Sequence, residues 1–311
     1  MTREYRNFSR RAFLKDTTLA AAGLALGSTL AGSLARGEAM QTSRKDQTKH
    51  SSKPRTKAVL IRDKSVITAA GAVDAAVAAR MIDEALCELL SSKKPEDAWR
   101  QLFSPNDAAG IKTNVYAALP TPPELNELLK KRIAACGLPV ASIPVTDREA
   151  RTLLADRTAL LNIRPVRTHH WAGIGGCIKN HIMFVENPSD YHADSCADLG
   201  SIWNLPIVKG KTRLNILLAL NPLFYGRGPH NFDPRYQWNY CGIFVSRDPV
   251  AVDALGAELL RLKRIHFFGE DKEVTPTKHI EMAEKRHGLG VSEIGRIDLV
   301  RLGWKENILL T

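Results

Sequence analysis

Between residues 58 and 163, apolar runs of strand length alternate with runs of helical spacing, and that order leaves few folds open. Residues 58–62 (AVLIR) make a short apolar strand. Residues 72–90 are alanine-rich and place apolar side chains at helical spacing, which predicts a helix. Residues 107–113 read as a second strand with a polar exit at Lys112, Thr113 and Asn114. Thr121-Pro122-Pro123-Glu124 opens the next helix, with Thr as N-cap and Pro in the first turn; it runs to about Cys136 and stops at Gly137. A strand over 138–146 ends at Asp147, a short helix covers 149–155, and 158–163 (TALLNI) is a strand again. This order predicts an α/β fold, a mainly parallel or mixed sheet with helices on both faces. Further strands are expected at 213–220, 241–246 and 296–302, and helices at 276–287 and from the Asp248 cap to about Leu262. In such sheets ligands sit beyond the carboxyl ends of the strands. Lys112, Asn114, Asp147 and the segment after Ile163 are therefore expected on one rim.

The first 39 residues do not fit that pattern. A charged start precedes a weakly apolar run from about Leu19 to Leu34, followed by small-residue exits at Ser33-Leu34-Ala35 and Gly37-Glu38-Ala39. This is the layout of a cleaved export signal; the run is too short and too diluted by Gly, Ser and Thr for a spanning helix. Ser9-Arg10-Arg11-Ala12-Phe13-Leu14-Lys15 resembles the twin-arginine export motif, which implies export of a folded protein from a bacterial-type cell. Residues 40–57 are polar and basic with no apolar period and read as a flexible linker. Residues 58–311 are left as a single α/β domain.

Of the chain's net charge of +11, the first 39 residues carry +3. The rest is scattered, with no basic stripe interleaved with aromatics, so nucleic acid is not an expected partner and a small anionic ligand fits better. The five cysteines are widely spaced, odd in number and without a C-x-x-C pair, which excludes a disulfide scaffold.

Residues 168–182 (THHWAGIGGCIKNHI) concentrate reactive side chains, and several chemistries compete for them. The glycines could turn backbone N–H groups toward an anion, with Lys179 adding charge, although neither the Walker pattern nor the dinucleotide pattern is met. His169, His170, Cys177 and His181 are competent metal ligands, with Asp190, His192, Asp194 and Cys196 further along. Lys179 could act as a base or Schiff-base amine if burial lowered its pKa, and Cys177 as a nucleophile. The fourth reading is a tight turn lined by polar groups. Asp253 lies inside an Ala/Val/Leu helix and needs a partner there: a lysine, a backbone donor or a metal, with Lys179 or Lys112 expected.

The block LLNIRPVRTHHWAGIGGCIKNHI at 160–182 is similar to the signature of the family called domain of unknown function 362. GIKTN at 110–114, TPPELNELLKKRIAACG at 121–137, RLNILLALNPLFYGRGP at 213–229 and FVSRDPVAVDALGAELL at 244–260 resemble its other blocks in order, over roughly residues 58–262. The resemblance places Lys112, Asn114, His169, Lys179, Asn180 and Asp253 in the family's recurring motifs and implies no settled reaction. Leu218 stands where members often carry an acidic residue, and the ferredoxin-like cysteine cluster that some members append is absent from this sequence.

These observations lead to an exported protein, expected to be an enzyme acting on a small anionic substrate, with metal assistance left open. His169, His170, Lys179 and Asp253 are the catalytic candidates. Lys112, Asn114, Gly175, Gly176 and Asn180 are the substrate-binding ones, and Cys177, His181 and His192 the candidate metal ligands. The expected partners are the twin-arginine translocase during export and a small-molecule ligand, with a periplasmic or secreted location and no membrane span after cleavage. The competing class is a non-catalytic metal- or small-molecule-binding protein, or an accessory of a periplasmic redox complex.

Overall fold

A computed structural model describes residues 54–227 and 232–310, within the unit Ser51–Thr311. The export signal, residues 40–53 of the linker and the Gly228-Pro229 pair lie outside the described residues. The strands are β1 (Thr56–Arg62), β2 (Ala109–Lys112), β3 (Val145–Thr146), β4 (Ala159–His169), β5 (Gly173–Gly175), β6 (Thr212–Leu223), β7 (Gly242–Ser246) and β8 (Ile297–Gly303). The helices are α1 (Ala75–Leu89), α2 (Pro95–Arg100), α3 (Pro123–Ala134), α4 (Ala150–Leu153), α5 (Cys177–Asn180), α6 (Ala193–Cys196), α7 (Pro249–Phe268) and α8 (Lys278–Lys285).

The sheet order is β3-β2-β4-β6-β7-β1-β8, with β5 folded back on β4. Strands β3, β2, β4 and β6 run parallel. Strand β7 is antiparallel to both neighbours, and β8 runs parallel to β1. The sheet is therefore mixed, with helices on both faces, as the alternation requires. One face carries Val59, Ile61, Ile111, Leu161, Ile163, Ile216 and Val245 against α1, α2 and α3. The other carries Ala58, Leu60, Leu160, Val166, Leu217 and Phe244 against α5, α7 and α8. Both faces are covered, so the strands read as nearly continuous apolar runs.

Several boundaries moved for local reasons. Strand β1 starts at Thr56, inside the expected linker, because its pairing with β8 begins there. Pro122 rather than Thr121 takes the cap position of α3, and no side chain caps it. The strand expected over 138–146 shrinks to two residues: Pro139 and Pro144 lack N–H donors, and 140–142 closes as a single 3-10 turn instead. Strand β4 runs six residues past Ile163, because β6 stays paired beside it and β5 covers its end. At α7 the expected cap holds: Asp248 Oδ1 accepts from the N–H groups of Val250 and Ala251.

A polar row crosses the α5/α7 face. Thr146, Lys112, Asn162, Asn215 and Ser246 are register partners on β3, β2, β4, β6 and β7, and all are buried. Asn162 Nδ2 donates to Asn215 Oδ1 at 2.9 Å. Asn215 Nδ2 donates to the Arg247 carbonyl at 3.1 Å, and Ser246 Oγ to the Lys57 carbonyl at 2.7 Å. Buried amides cost little only when paired, and each of these is paired.

Candidate functional site: a buried cluster of cations

The polar row holds the segment after β5 against the sheet. Asn180, at the end of α5, donates from Nδ2 to Asn162 Oδ1 at 2.8 Å and to the carbonyls of Lys112 and Ile163. Lys112 Nζ donates to Asp147 Oδ1 at 2.7 Å, to the Thr113 carbonyl at 2.8 Å and to Asn180 Oδ1 at 3.3 Å. Burial lowers Lys112 to about 8 against the opposing pull of Asp147. Lys112 and Asn180, expected to bind substrate, are instead fully engaged in fastening α5 to the strands. Asn114 Oδ1 accepts from the Tyr116 N–H in the loop after β2, which makes it a turn residue.

Asp253 has a partner, but not a lysine. Its two oxygens accept from the N–H groups of Cys177 at 2.5 Å and Ile178 at 2.8 Å, so α7 caps the first turn of α5. The carboxyl is fully buried, and burial pushes it up to about 7. Each oxygen of Asp253, a catalytic candidate from sequence, accepts one backbone N–H. The glycines have the same explanation. A Cβ on Gly176 would lie 2.3 Å from Asp253 Oδ1, and one on Gly175 would lie 2.7 Å from Arg164 Nη2. They clear room for these side chains.

Two arginines that the sequence reading did not single out add positive charge near Lys179. Arg164 and Arg167 are each 4% exposed. Arg164 Nη1 donates to the Gly176 carbonyl at 3.4 Å. Arg167 Nη1 donates to the Thr168 carbonyl at 3.2 Å, and its guanidinium lies 4.4 Å from the centre of the Tyr116 ring. The Nε atoms of both have no hydrogen-bond partner among the described residues. Burial, with Arg164 nearby, lowers Arg167 to about 9. Lys179 is 3% exposed, and its Nζ lies 3.6 Å from Cys196 Sγ. Burial lowers it to about 8; the two arginines act in the same direction.

His169 sits among these cations. Burial, then Lys179, Arg167 and Arg164, push it far below the ordinary histidine range, so the ring is neutral. Its Nδ1 accepts the Trp171 N–H at 3.2 Å; a backbone N–H can only donate, so the ring proton is on Nε2. The His170 ring stacks on it at 4.9 Å, and His170 Nδ1 donates to the Arg227 carbonyl at 3.1 Å. Outward, Trp171 stacks on His192 at 4.0 Å. Sequence reading missed His279, on α8. It is fully buried, neither ring nitrogen has a partner among the described residues, and burial with Lys179 and Arg164 nearby lowers it to about 3. Asp194, Ser195 and Cys196 hold φ of 49°, 56° and 61° in succession. Left-handed backbone at three consecutive non-glycine residues is strained, and it brings the Cys196 sulfur to Lys179.

The expected metal ligands are not brought together. Cys177 Sγ contacts the Ile216 carbonyl at 3.7 Å, and burial raises its thiol well above the ordinary value. His181 stacks on Trp203 at 3.9 Å and bonds Thr212 Oγ1 at 3.0 Å, while His192 lies on Trp171. Among the described residues, no three His, Cys, Asp or Glu side chains are placed to hold a metal ion. A cleft of about 870 Å³ between α7 and α8 includes none of the cation cluster; Arg261–Glu258, Arg264–Asp271 and Arg296–Glu284 pair with one another along it.

The segment that carries Arg164, Arg167, His169, Lys179 and Asp253 also carries a family likeness. Residues 125–258 match the family model described as Domain of unknown function (DUF362). The DUF362 match runs from α3 into the first half of α7 and leaves Lys112 and His279 outside it. No curated protein and no solved structure matches the chain.

Proposed function

We propose that this protein is an exported enzyme that acts on a small anionic substrate, bound by Arg164, Arg167 and Lys179 beside His169. One observation carries the reading: the buried charges at this end of the sheet are four cations, Lys112, Arg164, Arg167 and Lys179, against two carboxylates, Asp147 and Asp253. Uncompensated buried charge costs several kcal/mol per ion, and an anion offsets that cost. The unpartnered Nε atoms of Arg164 and Arg167 supply donors for it in a geometry that suits oxyanions. The twin-arginine motif supports export. Among the described residues, no helix is long and apolar enough to cross a membrane.

The test is thermal unfolding of the full chain with phosphate, sulfate or small carboxylates. An anion should raise the melting temperature. Arg167→Gln, which removes a charge-assisted contact of ~1.5–3 kcal/mol, should weaken binding by about ten- to a hundredfold. No stabilisation by any anion, or identical behaviour of the variant, would sink the proposal.

A further inference from the structure

We infer that Lys179 is an amine nucleophile, and that the anion bound here carries a carbonyl beside its carboxylate, the 2-oxo acid class. The inference rests on the anion site proposed above. The two buried lysines at this end of the sheet are treated in opposite ways. Lys112 has a carboxylate and two further oxygens on its Nζ. Lys179 has no carboxylate; its hydrogen-bond partner among the described residues is the Cys196 sulfur at 3.6 Å. A buried ammonium without a counter-ion is costly, and like charges on Arg164 and Arg167 add to the cost. Losing the proton relieves both, and the neutral amine is the form that attacks a carbonyl carbon.

His169 supplies the second part. A neutral imidazole whose Nδ1 is already accepting has Nε2–H left as its donor. Such a ring polarises a carbonyl oxygen instead of taking up a proton. Arg164 and Arg167 supply the third, a receptor for the carboxylate. The step balances without an added reagent. The Nζ lone pair forms the C–N bond as the C–O π bond breaks onto oxygen, which takes a proton. That proton and the second one come from the amine nitrogen: one N–H hydrogen passes to the oxygen on addition, the other as the hydroxyl leaves as water and the nitrogen lone pair closes the C=N bond, so amine and carbonyl become imine and water.

The experiment is reductive trapping on the full chain, with pyruvate and glyoxylate as probes and borohydride as reductant, read by intact mass and peptide mapping. The expected result is one reduced adduct per chain, on Lys179, slowed by oxalate and strongly reduced in Arg167→Gln. Lys179→Arg cannot form an imine and should give no adduct. If anions stabilise the protein through Arg167 but no adduct forms on Lys179, the nucleophile is refuted and the anion site stands. If no anion binds and no adduct forms, both fall. An adduct that forms equally well in Arg167→Gln would refute the carboxylate receptor.

Discussion

Asp253 sets two physical effects against each other, and the balance is measurable. Burial favours its neutral form, whereas the N–H groups of Cys177 and Ile178, with Arg164 nearby, favour the charged one. Burial wins, and the carboxyl rises from 3.8 to about 7. In the unfolded chain the group releases its proton near pH 4; in the folded protein it holds it to about 7. The folded state binds more protons between those values, so stability falls as pH rises across that window. The full difference corresponds to ~4 kcal/mol, present below pH 4 and lost once the pH passes 7. Asp253→Asn stays neutral throughout and keeps one carbonyl acceptor for the two N–H groups. Urea unfolding of both proteins from pH 4.5 to 8 isolates the effect, because every other titrating group cancels in the difference. The stability of the native protein minus that of the variant should fall by ~2–4 kcal/mol across the series. A flat difference would refute the reasoning, since it would mean that the two N–H groups and Arg164 outweigh burial and hold the carboxylate ionised in the folded state.

Asn180→Leu, close in volume, strands Asn162 Oδ1 and takes one acceptor from Lys112; at ~1–3 kcal/mol per stranded buried group it should cost about 2–5 kcal/mol, and urea unfolding within 0.5 kcal/mol of the native protein would contradict the fastening role (roughly the scatter of a neutral surface change). Replacing Arg10 and Arg11 together by lysine should leave the protein in the cytoplasm when fractions are probed by immunoblot, and unchanged export would refute the twin-arginine assignment.

Much of the fold was legible in the sequence. The strand–helix alternation fixed the class, and Asp248-Pro249 marked the start of α7 through a cap that the structure contains. Strand length was harder to read, because it depends on partners. Residues 164–169 look like a polar exit, yet they stay in the strand because β6 pairs alongside and β5 folds over them. The cluster was legible in part. Lys179 and His169 stood out within a dense motif. Arg164 and Arg167 did not, since an arginine beside a strand is usually solvated; Arg164 shares one parity with Leu160, Asn162 and Val166, whereas Arg167 breaks that parity and follows a register shift after Pro165. Cys196 stood out as a metal ligand, not as a partner of Lys179, and His279 had no signal. They reach Lys179 only through the strained turn before Cys196 and the docking of α8, neither of which leaves a local pattern.

The polar row has a consequence for how the sheet assembles. Apolar strands buried on both faces can slide past one another at little energetic cost, since every shift pairs one branched side chain with another. Lys112, Asn162, Asn215 and Ser246 remove that freedom. A slip of one residue would push an amide into the apolar layer under α1 and α3, and a slip of two in one direction would leave Asn162 opposite Leu217 or Asn215 opposite Phe244. Each wrong alignment strands at least one polar group in a dry interior. A single row of side chains thus selects one alignment for the central strands, and the cation cluster built on β4 and α5 inherits its position from that choice.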